Sequence, residues 1–307
     1  MAEAEPLGFA GLGRIALVGA GRAGCSMAAA LGRHGPVTLV ARARWRRQAV
    51  TGWLAGAGLA AKVHVVADLR DVAAVDTVLF AVPDGALAEA ARSAIGHGRA
   101  WLHLSGAMDA AAIDVDGAPP VLGAAHPLAS LPDPVATAAT ADRAAAPLVG
   151  ALLALDGSAG AIALGQALAS AVGAVGWPVA GPGRAAYHAA AAVVANDLIG
   201  LLNLGETLAA SAGLPTSVAR AALVHLARTA LDAAAAVDPA RSLAHGLTGA
   251  VARGDAGTLG RHLQVLETWP EGRDIHIALS RQLLALVVEA GLLRPAQAAA
   301  VAIILDS

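Results

Sequence analysis

Two polar side chains on one alanine-rich stretch have the types and spacing to act on a small carbonyl compound. Four residues separate His188 from Ala192, and four more separate Ala192 from Asn196. All three therefore share one face of the helix predicted over 184–204. An imidazole can donate a proton near neutral pH, and an amide can hold a carbonyl or hydroxyl oxygen. Both groups need hydrogen-bond partners, and the sequence leaves open whether the protein itself or a substrate supplies them.

Further candidates lie at the ends of apolar runs that predict strands. His126 comes directly after the run 121–125 and is followed by proline, so a rigid backbone aims its ring. It is a second candidate proton donor. Ser105 follows the run 100–104 and carries a hydroxyl that can bind a carbonyl group. His103 alternates with tryptophan inside that run and is predicted to be a core residue.

The segment LTGAVARGD at 247–255 contains a group that can bind an acid. Arg253 can hold a carboxylate through a two-pronged hydrogen bond, and Thr248 with Gly249 can line a pocket or begin a helix. Asp255 is suited to cap the next helix. No metal site is predicted, because no two histidines are three to five residues apart and the single cysteine has no partner.

A glycine-rich turn near the N-terminus has the pattern that positions a phosphate group. The apolar run 15–18 predicts a buried strand, which leads through G-x-G-x-x-G into an alanine-rich helix. The first glycine makes the turn, the second lets a pyrophosphate approach the backbone, and the third lets helix and strand pack closely. The free amides at the helix start then face the phosphates, although an incidental glycine turn is the alternative. The predicted dinucleotide-binding residues are Gly19, Gly21, Arg22, Ala23 and Gly24.

The residues after the second predicted strand indicate which dinucleotide is bound. A site for NAD would carry Asp or Glu near Ala41 and Arg42, and neither residue type is present there. The chain instead runs ARARWRR, and guanidinium groups suit a ribose phosphate. The sequence therefore predicts NADP, with Arg42 and Arg44 as the first phosphate ligands. The alternative is a solvated basic turn.

Composition limits the partners of the chain. Only 14% of its 307 residues are charged and the net charge is -2, so there is no electrostatic footprint for nucleic acid. Small molecules or other protein chains are the expected partners. The uncharged segment 158–183 predicts a buried helix and a strand rather than a membrane span. The acidic N-terminus is unlike a secretory signal, and the single cysteine, Cys25, fits a cytoplasmic protein and is predicted to be a packing residue.

Strands and helical stretches alternate through the first half of the chain, which predicts an α/β domain with a doubly wound parallel sheet. Ligands of such sheets bind beyond the carboxyl ends of the strands. Nearly every stretch from Arg184 onward has helical spacing, so an all-helical domain is predicted to follow. The predicted domains are 11–182 for dinucleotide binding and 183–307 for substrate binding and dimerisation. The predicted strands cover 15–18, 37–40, 63–66, 77–82, 100–104, 121–125, 148–155 and 178–180, with helices over 45–58 and 159–175 and a loop over 128–147.

Six short motifs occur in a characteristic order along nearly the whole chain. They are GAGRAG at 19–24, AVPD at 81–84, SGA at 105–107, HPL at 126–128, YHAAAAVVAN at 187–196 and LTGAVARGD at 247–255. Together they resemble a Rossmann-like reductase family whose C-terminal helical domain is labelled only a domain of unknown function (DUF2520 type). That family is similar in layout to ketopantoate reductases, pyrroline-carboxylate reductases and prephenate dehydrogenases. The resemblance implies a cleft between domains and a homodimer formed through the helices.

The resemblance also implies roles for individual residues. Those that would border the nicotinamide are Val82 and Pro83, within 81–84, and Ser105. Those that would surround the substrate are His126, His188, Asn196 and Arg253. Reductases of the ketopantoate type commonly use a helical lysine, whereas the only lysine here is Lys62, between two predicted strands. Either His188 or His126 then supplies the proton, or the chemistry differs from that of the ketopantoate type.

The sequence thus predicts an NADPH-dependent reductase of a small 2-oxo acid, with ketopantoate (2-dehydropantoate), an intermediate of pantothenate biosynthesis, as the leading candidate. His188, or failing that His126, would protonate the carbonyl oxygen that Asn196 holds, and Arg253 would bind the carboxylate with Thr248 nearby. An imine reductase of the pyrroline-carboxylate type is one alternative. A non-catalytic NADP-binding module that reports redox state to a partner protein is another.

Overall fold

The computed structural model describes residues 11–72, 74–179 and 181–307. The prediction about a secretory signal concerns the N-terminal residues before position 11 and lies outside them. The chain divides into two compact units, Met1–Ala195 and Asn196–Ser307. The predicted domain boundary at 182/183 falls near the start of a long helix, and the units divide further along that same helix.

The first unit is built on one eight-stranded sheet. Its strand order is β3-β2-β1-β4-β5-β6-β7-β8, and every neighbouring pair is parallel except β6 and β7. The order reverses between β1 and β4, which creates the crevice where doubly wound sheets bind ligands. The prediction of a doubly wound α/β fold is confirmed. The strands are β1 (Ile15–Val18), β2 (Val37–Val40), β3 (Val63–Val66), β4 (Thr77–Phe80), β5 (Ala100–His103), β6 (Val121–Pro127), β7 (Leu152–Gly157) and β8 (Val175–Pro178).

Helices cover both faces of this sheet. One apolar cluster packs Leu17 and Leu39 against Met27, and the other packs Val78 and Phe80 with Trp101 on the opposite face. Strands buried on both faces explain the continuous apolar runs of the sequence. The helices that begin in this unit are α1 (Arg22–Leu31), α2 (Arg44–Gly56), α3 (Leu87–Ser93), α4 (Ala141–Ala145), α5 (Ala159–Val172) and α6 (Gly181–Ser211).

The structure corrects the sequence prediction in the last third of this unit. The helix predicted to reach 175 ends at Val172, because Gly173 has a φ of +73° and closes it in the left-handed conformation. The last strand is therefore Val175–Pro178, earlier than predicted, and Ala180 lies outside the described residues. The predicted loop 128–147 contains the short helix α4, and its Thr140 caps that helix through the amide of Arg143.

The second unit consists of helices packed around a small apolar core. Val251, Leu259 and Val287 are among its fully buried residues. Asp255 accepts a hydrogen bond from the amide of Thr258 at 2.9 Å, which confirms it as a helix cap. The prediction of an all-helical segment after the sheet is confirmed. Its helices after α6 are α7 (Thr216–Ala235), α8 (Ala250–Arg253), α9 (Ala256–Leu266), α10 (Pro270–Glu289) and α11 (Pro295–Leu305).

The long helix α6 has an unusual surface. An 18-residue window within it has a mean hydropathy of 1.4, and none of that window is buried. By length and composition it is the one helix among the described residues that could cross a membrane. A single such helix is weak evidence for a membrane span. Within the segment 158–183, which raised this question in the sequence, the described residues form α5, β8 and the start of α6.

Candidate functional site

The glycine turn between β1 and α1 is shaped by backbone contacts. Gly19 has a φ of +110°, and a Cβ atom there would overlap the carbonyl group of Ala81. A Cβ on Gly24 would overlap the carbonyl oxygen of Gly19, so this glycine lets α1 pack directly on the turn. Gly21, by contrast, has an ordinary φ of -80°, and a Cβ there would meet no protein atom within 4 Å. Packing of the protein therefore does not require a glycine at this position.

A cavity of about 380 Å³ lies beside this turn, at the carboxyl ends of β1, β2 and β4. This is the crevice at the reversal of strand order, where a dinucleotide would be expected. The first turn of α1 contains no acidic residue, so the helix start carries no charge that would repel phosphate. Residues at its wall include Gly19, Gly21, Arg42, Trp45, Val82 and Pro83.

Arg42 is the predicted phosphate ligand that lines this cavity. Its guanidinium pairs with the Glu89 carboxylate at 2.9 Å and donates to the Ser93 hydroxyl at 3.0 Å. The Arg42 side chain keeps 55% of its exposure, so the ion pair lies in solvent and is weak. Arg44 is exposed at the first position of α2 and is not part of the cavity wall. Of the two arginines favoured by the sequence, the structure brings only Arg42 to the cavity.

Arg46 supports the cavity wall instead of presenting a free charge. Its Nε donates to the carbonyl of Ala20 at 2.7 Å, and its guanidinium pairs with Asp133 at 2.9 Å. This pairing joins the glycine turn to the segment 128–147 through a side chain that is only 16% exposed. Arg22 and Ala23 lie in the first turn of α1 beside the cavity, and neither belongs to its wall.

A second group of polar side chains lies where β5 and β6 end and α6 begins, within the first unit. The Nδ1 atom of His126 is 2.9 Å from the hydroxyl oxygen of Tyr187. The rings of His126 and His188 have centroids 6.1 Å apart and cross nearly at right angles. A Cβ on Gly106 would lie 2.9 Å from Nε2 of His126 and 2.6 Å from Cδ2 of His188. The structure thus brings the two predicted proton donors together over a glycine.

Arg184 is buried beneath this group. It is 1% exposed and donates one hydrogen bond, at 2.6 Å, to the carbonyl oxygen of Ser105. Its Nε and Nη1 atoms have no hydrogen-bond partner among the described residues. Ser105 also accepts a bond from the amide of Met108 through its hydroxyl oxygen, and its own amide donates to His103. His103 is fully buried, which agrees with its prediction as a core residue.

Burial and neighbouring charge set the protonation of this group. Burial lowers the pKa of His126 to about 4, and His188 and Arg184 add to the effect by disfavouring a second positive charge. The Asp84 carboxylate raises the pKa of His126, but by less than these three effects lower it. Burial raises the pKa of Tyr187 to about 12, although the nearby Arg184 cation lowers it. At neutral pH His126 is therefore a neutral imidazole and Tyr187 a neutral phenol.

Comparisons with known proteins agree with this architecture. A family model described as "Domain of unknown function (DUF2520)" matches residues 151–283. The matched residues make up less than half of the chain, and the strand order of the sheet is that of a Rossmann-like fold. The matched range begins at β7 and contains the face of α6 that carries Arg184, Tyr187 and His188, whereas the glycine turn precedes it. No curated protein matches the chain.

Three solved structures share the fold of this chain. Protein TM1727 from Thermotoga maritima has a TM-score of 0.66 at 16% identity, covering 90% of this chain and 98% of its own. A proposed NADP oxidoreductase from Bacteroides fragilis has a TM-score of 0.62 at 18% identity, covering 89% and 98%. A reductive aminase from Aspergillus terreus, in complex with NADPH and ethyl-5-oxohexanoate, has a TM-score of 0.50 at 14% identity, covering 95% and 92%. At these identities the likeness establishes the fold alone.

The remaining predicted site residues belong to the second unit. Asn196 is exposed two turns beyond His188 along α6. Thr248 is exposed just before Gly249, whose φ of +104° begins α8. Arg253 is the exposed last residue of α8, and its carbonyl oxygen accepts a bond from Gln297. Their part in substrate binding stays a prediction.

Sequence reasoning missed two members of the polar group, the buried Arg184 and the partly buried Tyr187. A signal was present, because residues at i, i+3 and i+4 share one helix face, and Arg184, Tyr187 and His188 have that spacing. Tyr187 is also the only tyrosine of the chain. What the sequence could not show is that this face meets the ends of β5 and β6.

Proposed function

We propose that this protein is an NAD(P)-dependent oxidoreductase and, more specifically, an NADPH-dependent reductase of a small 2-oxo acid. The observation that supports this most strongly is Gly21, whose absent side chain leaves the turn open toward a cavity at the sheet crevice. Packing of the protein gives no reason for a glycine there, and close approach of a pyrophosphate does. Ketopantoate is the leading candidate substrate.

Residues of the first unit would hold the cofactor. The amides of the turn from Gly19 to Gly24 would bind the diphosphate, and Arg42 would exchange its exposed Glu89 partner for the ribose phosphate. Val82 and Pro83 line the cavity and Ser105 follows β5 at the same edge of the sheet, so these residues would border the nicotinamide. When bound, NADPH supplies a hydride.

Residues near the end of β6 would supply the proton. His126 and His188 are both candidates, and their rings lie close together over Gly106. Fixing a substrate against such groups contributes several kilocalories through orientation alone. Asn196 would hold the carbonyl oxygen and Arg253, with Thr248, the carboxylate. These three assignments rest on the motif resemblance and on residue chemistry.

Reduction of an imine is the second candidate function. The reductive aminase that shares the fold was solved with NADPH, and it covers 95% of this chain. An imine needs the same delivery of hydride, and the proton goes to nitrogen instead of oxygen. The 2-oxo acid and the imine are both compatible with the imidazole pair of His126 and His188, in which His126 is predominantly neutral at pH 7.

We also propose that the protein acts in the cytoplasm as a homodimer joined through its helices. The exposed apolar residues of α6 and α7 support the homodimer, because helices of monomeric soluble proteins rarely leave so many apolar side chains exposed. The most exposed of them are Val193, Val194, Ile199, Leu226 and Val218. Neither nucleic acid nor membrane is part of this proposal.

The proposed function is tested by incubating the purified protein with NADPH and a panel containing ketopantoate, other 2-oxo acids and cyclic imines. The fall in NADPH absorbance reports turnover. We expect turnover of at least one 2-oxo acid, with ketopantoate the fastest. Turnover of imines alone would replace the first candidate with the second. Tight NADPH binding without any turnover would refute both and favour a redox-reporting module.

A further inference from the structure

Three residues on one face of α6 form a chain of contacts with the end of β6. Arg184, Tyr187 and His188 follow one another at i, i+3 and i+4. The Tyr187 hydroxyl lies 2.9 Å from Nδ1 of His126, and this is its only hydrogen bond among the described residues. Arg184 lies close enough to Tyr187 to lower its pKa. None of the predicted roles uses Tyr187 or Arg184.

The direction of the hydrogen bond follows from the groups around the phenol. A guanidinium only donates hydrogen bonds, so the lone pairs of the Tyr187 oxygen are attracted to Arg184 and its O–H is repelled. The O–H therefore points to Nδ1 of His126, which accepts it. A neutral imidazole carries one proton, so that proton is on Nε2. Nε2 faces Gly106, where an added Cβ would lie only 2.9 Å away.

We propose that Tyr187 is the positioning residue that holds His126 in its Nε2–H form and replaces the proton that His126 gives to the substrate. This inference rests on the proposed function and names the proton source for it. It selects His126 as the group that touches the substrate. The His188 ring also lies over Gly106, where an added Cβ would come within 2.6 Å of its Cδ2 atom.

The proton transfers balance without a charged imidazole. Reduction places a hydride on the carbonyl carbon and an electron pair with a negative charge on its oxygen. That oxygen takes the Nε2 proton of His126 while Nδ1 takes the O–H proton of Tyr187. The imidazole stays neutral, with its proton moved to Nδ1, and the negative charge is transferred to the phenolate oxygen. The phenolate then takes back the Nδ1 proton while a proton from solvent binds Nε2, which restores the phenol and the starting tautomer together.

Arg184 offsets part of the burial that disfavours a phenolate at Tyr187. Its guanidinium is 1% exposed, and Nε and Nη1 are unpartnered among the described residues. A buried cation that lacks full hydrogen bonding is costly on its own, and a neighbouring negative charge offsets that cost. The same charge disfavours an imidazolium at His126. Both effects direct the negative charge toward Tyr187.

The first test is nitrogen NMR of histidine side chains in the full-length protein at neutral pH, with and without NADPH. Loss of one spin system in His126→Gln assigns the signals. We expect Nε2 of His126 to be protonated and Nδ1 to be a hydrogen-bonded acceptor. Tyr187→Phe should shift the Nδ1 signal to that of an unbonded nitrogen. A proton on Nδ1 in the unmodified protein would overturn the proposal, whether or not any substrate is reduced.

The second test is the kinetics of Tyr187→Phe with NADPH and ketopantoate. General acid catalysis typically contributes about 100-fold or more, so kcat should fall by about that factor. KM and the NADPH Kd should change less than about threefold, because the phenol touches neither ligand. The exposed His64→Gln is a matched control that should leave all values unchanged. An unchanged kcat in Tyr187→Phe would overturn the proposal. Absence of turnover in the unmodified protein would instead refute the proposed function, and the NMR result would still decide the proton position.

Discussion

Replacing single glycines of the turn after β1 separates the fold from cofactor binding. Gly21→Ala adds a methyl group that meets no protein atom within 4 Å, at a φ of -80° that alanine adopts freely. Its free energy of unfolding should therefore change by less than about 0.5 kcal/mol. Gly24→Ala places its methyl group on the carbonyl oxygen of Gly19. Relief of that overlap requires α1 to move, at a cost of about 1–3 kcal/mol.

The two variants should also differ in the way they affect NADPH binding. The methyl group of Gly21→Ala projects toward the cavity and keeps a diphosphate from the turn amides. A hydrogen bond to a charged group contributes about 1.5–3 kcal/mol, so loss of one such bond weakens binding by about 10-fold to 150-fold. Gly21→Ala should therefore lose NADPH affinity with little change in its free energy of unfolding. Gly24→Ala should lose folding stability as well.

Urea unfolding followed by circular dichroism measures the stability of each variant, and isothermal titration with NADPH measures affinity. Gly52→Ala is the control, because Gly52 is exposed on α2 and an added Cβ there also meets nothing within 4 Å. It should be stabilised by up to about 1 kcal/mol and bind NADPH normally. Unchanged NADPH affinity in Gly21→Ala would refute the assignment of this turn to the diphosphate.

Three further outcomes follow from the first unit. Arg42→Ala should weaken NADPH binding about 10-fold and leave NADH binding unchanged, because only NADPH carries the ribose phosphate. Glu89→Gln should tighten NADPH binding slightly, because it removes the carboxylate that pairs with Arg42. Calorimetry measures the affinity of both variants. Folding lowers the pKa of His126 from 6.5 to about 4, so unfolding takes up a proton between these pH values. The free energy of unfolding should therefore be constant above pH 6.5 and fall toward pH 4 by at most about 3 kcal/mol. Urea titrations measure this fall, and His126→Gln should abolish it. Burial raises the pKa of Cys25 to about 11, so iodoacetamide at pH 7.5 should label it only after unfolding, and rapid labelling of the native protein would contradict its packing role.

Local patterns of the sequence were sufficient to predict most of the sheet. Strands β1 to β5 are short, mostly apolar runs that alternate with helical stretches, so chain order indicates the doubly wound fold. The end of α5 was misplaced because Gly173 closes the helix before its apolar pattern ends. The antiparallel pairing of β7 was also missed, since strand direction depends on how the chain returns to the sheet and leaves no mark in composition.

The candidate site was predictable only in part, because contacts distant in sequence create it. His126 and His188 were found by residue type, but their proximity depends on the first turns of α6 meeting the end of β6. Arg46 belongs to the basic run ARARWRR, but its guanidinium group binds the carbonyl oxygen of Ala20 and pairs with Asp133. Tyr187 escaped notice because tyrosine in an alanine-rich helix resembles a packing residue until its hydroxyl partner is known.

Titration of the unmodified protein with NADPH in a calorimeter tests the central claim most directly. The open backbone at Gly21 and the cavity beside Arg42 predict saturable binding of one NADPH per chain, at least about tenfold tighter than NADH. Absence of saturable binding by either dinucleotide would contradict the claim that the turn holds a dinucleotide diphosphate.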